Sequence, residues 1–260
     1  MAPKKTTKGG KAAAGSGSRK KAASGEQTAA KKSSARTSSE KKTRPKKEAP
    51  AEPGGSTSGK KRTAGAAAIA EAIIEDPQPG PRVAEWGEQL LDTRSTTATQ
   101  AARVLHETVT RKPELVVGLV DRFVKGLRSK NKRVVQTSAD ALPAIAKVSP
   151  ARVARHLDVL TTSFDAVSDT GKDGLVRTFA NLCSASVAYQ KRLEPVLTKA
   201  LGQAEGKTLL AWTESVLPAL KGEPHARARA VVESRLHKIP RSVAQPIADL
   251  LGVKLRPNVR

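Results

Sequence analysis

The chain has 260 residues and a formal net charge of +23, and aromatic residues make up only 2% of it. Its one cysteine, Cys183, excludes an intrachain disulfide and a cysteine-built metal cluster and points to a reducing, intracellular setting. No apolar run approaches the roughly 18 residues that span a bilayer, and no apolar stretch follows the first basic residues, so neither a membrane partner nor a secretory signal is expected.

Residues 1–63 hold 18 of the 47 Lys and Arg and four of the 24 acids, a net +14. Met1 is the only large apolar side chain among them. A segment so poor in apolar surface cannot offset about 1–2 kcal/mol per residue of backbone entropy, so a disordered basic tail is expected over residues 1–63. Its bases come in clumps: Lys20 and Lys21; Lys41, Lys42, Arg44, Lys46 and Lys47; Lys60, Lys61 and Arg62. Clumps spaced along a flexible chain can each neutralise phosphates and release counterions without reading sequence. In composition the segment resembles the Ala/Lys-rich tails of linker histones and bacterial histone-like proteins. Lys41 to Lys47 also has the form of a nuclear import signal.

Residues 64–81 read as a short Ala-rich helix, Ala66 to Ile74, stopped by the proline-rich linker Pro77 to Pro81. From Arg82 onward apolar residues recur at three- and four-residue steps, the pattern of amphipathic helices, and residues 82–260 are expected to form one helical repeat domain. Leu105, Leu142, Leu182 and Leu217 each fall on an apolar face, at intervals of 37, 40 and 35 residues. Pro113, Pro150 and Pro224 each open a helical stretch, at intervals of 37 and 74. Two markers sharing one period argue for a repeat. In the clearest unit Val134, Val135, Ala139, Leu142, Ile145 and Ala146 stripe a first helix, Ser149-Pro150 makes the turn, and Val153, Leu157 and Leu160 stripe a second.

Helix pairs of this length, with a proline inside the first helix (Pro143, Pro218), resemble the HEAT repeat family over about residues 95–240. Armadillo repeats are close in pattern. The resemblance implies an all-α fold: a right-handed α-solenoid of about four helix pairs, capped by helices near 82–92 and 241–252. In such a fold no unit buries its apolar face alone, so neighbours must stack.

No catalytic motif stands out. The histidines His106, His156, His225 and His237 lack metal-ligand spacing, no phosphate-binding glycine loop precedes a helix, and no cofactor is expected. Alkylpurine DNA glycosylases built from HEAT-like repeats resemble the chain in size, charge and helicity. Their site uses an Asp beside aromatic residues, and along this sequence no Asp stands next to Trp86 or Trp212.

The second helices of such solenoids line the inner face, and here their polar positions are rich in base: Arg122, Lys125 and Arg128, running into Lys130, Lys132 and Arg133; then Arg152 and Arg155; then Lys191, Arg192 and Lys199; then Arg227, Arg229, Arg235 and Lys238. Aligned, they would form a stripe suited to phosphate, diluted by Asp121, Asp158 and Glu194. The expectation is a non-enzymatic, sequence-non-specific binder of nucleic acid, DNA first. It would sit in cytoplasm or nucleoid if bacterial and in the nucleus if eukaryotic. An adaptor holding a protein partner in the groove is the alternative.

Overall fold

A segment with Leu, Val and Ala at helical spacing buries that stripe only by pairing with a neighbouring helix. The computed structural model describes residues 57–255, and the side chains of 65–255. Every regular element among the described residues is helical. In chain order they are α1 (Thr57–Ile74), α2 (Pro79–Gln89), α3 (Ser95–Arg111), a 3-10 segment (Pro113–Leu119) running into α4 (Val120–Gly126), α5 (Lys132–Val148), α6 (Pro150–Ala154), α7 (Leu157–Ser163), α8 (Asp169–Ala185), α9 (Val187–Gln203), α10 (Gly206–Val216) with a 3-10 turn (Leu217–Ala219), α11 (Gly222–Arg235) with another (Leu236–Lys238), and α12 (Arg241–Leu251).

Helices α3, α5, α8 and α10 begin at 95, 132, 169 and 206, a constant step of 37 residues. They belong to a first row, α1–α3–α5–α8–α10–α12, in which each helix packs on the next. The helices between them form a second row. There α2 packs on the 113–119 segment and α9 on α11. Arg128, just past α4, reaches Ser163 of α7, and Arg192 of α9 reaches Asp158 of α7. The core lies between the rows. Leu105, Leu142, Leu182 and Leu217 are all buried there, as are all nine stripe residues of the unit from Val134 to Leu160. Each such leucine contributes on the order of 2 kcal/mol by leaving water.

Local chemistry sets the element ends. The side chains of Asn131, Ser168 and Ser186 accept the main-chain N–H groups of Arg133, Gly171 and Ala188 and so cap α5, α8 and α9. Pro113 and Pro150 open their segments, where a missing N–H costs nothing. Pro143 lies inside α5 as expected. Pro218 instead falls in the 3-10 turn after α10, where the chain has already left the α-helical ladder. Pro195 and Pro246 lie inside α9 and α12.

Three differences from the sequence reading stand out. Helix α1 starts at Thr57, so residues 57–63, read as tail, belong to a helix. The second helix of the unit at 132–163 is broken into α6 and α7 at Arg155 and His156. The second segment of the preceding unit is likewise part 3-10 and part α. The rest of the expected tail, residues 1–56, lies outside the described residues. No described helix is long and apolar enough to cross a membrane.

Candidate nucleic-acid interface

The second row does not present an uninterrupted stripe of base. Acids and bases of successive helices are joined by four rungs. Arg122 pairs with Glu88, His156 Nε2 lies 3.4 Å from Asp121, Arg192 lies 2.6 Å from Asp158, and Arg227 lies 3.3 Å from Glu194. In each rung the acid belongs to the earlier helix and the basic residue lies 33 to 35 positions later. Lys199 adds a parallel contact to Asp165 at 2.7 Å, and Arg235 donates to the carbonyl of Leu201 at 2.6 Å. Several expected phosphate binders therefore hold neighbouring helices together.

The repeat explains one irregularity. Asp121 and Asp158 are 37 residues apart, as are Arg155 and Arg192. In the later rung Arg192 takes Asp158; in the earlier one His156 takes Asp121 and Arg155 is left without an acidic partner among the described residues. The His156 side chain is half-buried, 23% exposed, whereas its partner Asp121 is 70% exposed.

The expected contact residues divide accordingly. Arg122 is committed to Glu88, and Arg128 donates to Ser163 Oγ. Arg133 is half-buried at the start of α5. Lys125, Lys130, Lys132, Arg152 and Arg155 are exposed and have no salt-bridge partner among the described residues. Lys130 and Lys132 flank Asn131, whose amide donates to Ser95 and Thr99 of α3 and pins that turn to the previous unit. Lys60, Lys61 and Arg62 fall within α1, their side chains outside the described residues. Lys20, Lys21, Lys41, Lys42, Arg44, Lys46 and Lys47 lie outside the described residues altogether.

The first row carries a second polar system, which sequence inspection missed. Trp212 Nε1 donates to Asp173 at 3.0 Å; Asp173 meets Arg177 at 2.9 Å; Arg177 meets Asp140 at 3.1 Å; and His106 Nδ1 lies 3.8 Å from Asp140. The chain of contacts crosses α10, α8, α5 and α3. It corrects the expectation that no Asp lies beside a Trp: Asp173 is 39 residues from Trp212 and is brought there by stacking. Trp212 is nonetheless a packing residue, 5% exposed, with its ring edge-on to Phe164 at 6.4 Å between centroids. Beside this system a groove of about 500 Å³ is lined by Val109, Pro113, Pro143 and Val148, with Lys147 and Arg177 among its polar groups. Cys183 is fully buried, and burial pushes its thiol up to about 12.

No protein-family model matches the chain, and no curated protein matches it. Solved structures do. One engineered protein is 19% identical with a TM-score of 0.54, covering 76% of this chain and 91% of its own. Another is 18% identical with a TM-score of 0.51, covering 73% and 91%. At these identities the likeness is one of fold, and the chain shares with both an extensive packed-helix architecture.

Proposed function

We propose that the chain is a non-enzymatic protein that binds nucleic acid, DNA in the first place, by its phosphate backbone and without reading sequence. Its helical array is a right-handed solenoid of four HEAT-like pairs over about residues 95–240, with α1 and α2 before them and α12 as the closing cap. A basic segment, residues 1–56, precedes it, in an intracellular setting. The constant 37-residue step of the first-row helices and the order of their contacts support the repeat.

One observation carries the function. Between Arg122 and Lys254, fifteen of 22 Lys and Arg have no salt-bridge partner among the described residues, against three such acids, Glu205, Glu214 and Asp249. Residues 1–63 add a net +14. Such an excess releases counterions on meeting a polyanion. The burial of Trp212 leaves little aromatic surface for stacking bases, which favours backbone contact over base reading. In a salt titration of duplex binding, log K falls linearly with log salt concentration. Affinity unchanged between about 50 and 200 mM salt removes the reading.

The groove beside Arg177 favours a second reading, an adaptor that holds a protein segment. A stoichiometric protein partner retained after nuclease treatment would support it.

A further inference from the structure

Charge is unevenly shared along the folded array. From the start of α1, residues 57–121 hold nine acids against eight Lys and Arg, a net −1, and past the Lys60, Lys61 and Arg62 clump residues 65–121 are net −4, whereas residues 122–255 hold 22 Lys and Arg against 11 acids, a net +11. Salt bridges sharpen the division. Among the described side chains of residues 65–121 Arg82, Arg94 and Arg111 are tied to acids, which leaves Glu75, Glu85, Glu107 and Glu114 against Arg103 and Lys112 in the count of unpaired charges. In the second stretch, the internal pairs consume most of the acids and leave the base. The sign changes within α4, between Asp121 and Arg122.

Neighbouring packed helices stand about 8–10 Å apart, close to the Debye length of about 10 Å at 0.1 M salt. A phosphate therefore responds mainly to the unit it touches, and the acidic units are not masked by the basic ones. Resting on the nucleic-acid reading above, we infer that the array meets duplex phosphate only from α4 onward, while α2 and α3 stand off it. The array then binds unevenly: the units from α4 onward are engaged, and α2 and α3 stay exposed while bound. Residues 1–63 contribute base of their own, and the test leaves them unchanged.

The test uses the full chain and a fluorescent mixed-sequence DNA duplex, with anisotropy followed across a salt series. One variant carries Lys125→Gln with Arg155→Gln; the other carries Arg103→Gln with Lys112→Gln. Each removes two charges without an acidic partner, and an unchanged helical signal and melting temperature shows that the fold is intact. The first pair is expected to lower the log–log salt slope by up to about 1.8, from about 0.9 per lost phosphate contact. The second pair is expected to leave it unchanged. Equal losses from both pairs overturn the inference while the nucleic-acid reading stands. If the unaltered chain shows no salt-dependent duplex binding, that reading itself falls. Binding of polyglutamate as tight as duplex at the same salt overturns the choice of nucleic acid as the polyanion.

Discussion

Gly174 of α8 lies against Ala139 of α5 with no room for a methyl group between them. A β-carbon at 174 would sit 2.5 Å from the Cα of Ala139 and 2.6 Å from its carbonyl oxygen. That carbonyl has no helical donor, because the residue four positions on is Pro143. One proline and one glycine thus bring two main chains together at the centre of the first row.

Gly174→Ala should therefore destabilise. Alanine is worth about 1 kcal/mol over glycine inside a helix. Here the new methyl group meets main chain, which cannot rotate away, and overpacking of about 1–3 kcal/mol outweighs the gain. Urea denaturation should show a net loss of up to about 2 kcal/mol, the overpacking cost less the propensity gain. Gly65→Ala is the counterpart: nothing lies near a β-carbon there within α1, so stability should rise by up to about 1 kcal/mol.

The rungs of the second row are exposed and should be individually weak. For Asp158 and Arg192, 84% and 55% exposed, a double-mutant cycle to alanine should give a coupling of about 0.2–1 kcal/mol. The coupling should shrink as salt is raised from about 0.1 to 1 M, since the Debye length falls from about 10 to 3 Å.

Cys183 links stability to high pH. Burial raises its folded pKa from 9.0 to about 12, so the folded chain favours the neutral thiol. That contribution is fully present below about pH 9 and is lost as pH climbs toward 12, because the unfolded chain releases the proton first. Stability should fall more steeply over this window in the unaltered protein than in Cys183→Ala. The difference should grow by up to about 1.4 kcal/mol per pH unit. A thiol reagent at neutral pH should label Cys183 only as fast as the chain opens.

Trp212→Phe keeps a ring against Phe164 but removes the indole N–H from Asp173. The expected cost is about 1–3 kcal/mol, from the lost charge-assisted bond and the smaller ring. Duplex affinity should not change, because the ring is buried. A large loss of binding in a variant that melts normally would put Trp212 at the contact surface instead.

Much of the fold could be read from the chain because burial leaves a one-dimensional trace. Leu105 and Leu142 repeat since each stands ten residues past the start of its helix, a place that buried Phe179 takes in α8 while Leu182 lies three residues beyond it, and Pro113 and Pro150 repeat since each opens the same kind of segment. Partner choice leaves almost no such trace. Arg192 looked like solvent-facing base because its acid, Asp158, is 34 residues away, and the same holds for Arg227 and Glu194. Asp173 and Trp212 escaped notice for the same reason: neither is a neighbour of the other along any single helix. The break at Arg155 and His156 was missed because Val153, Leu157 and Leu160 keep helical spacing straight through it. A turn of different pitch does not disturb that spacing.

Each interior unit of the second row offers a basic group backward and a carboxylate forward. A unit such as 132–168, with His156 on one side and Asp158 on the other, is thus its own complement. A copy spliced in after itself would find its backward group met by the original and its forward group met by the next unit. Such joints let an array lengthen or shorten by whole 37-residue modules without stranding a charge at any junction.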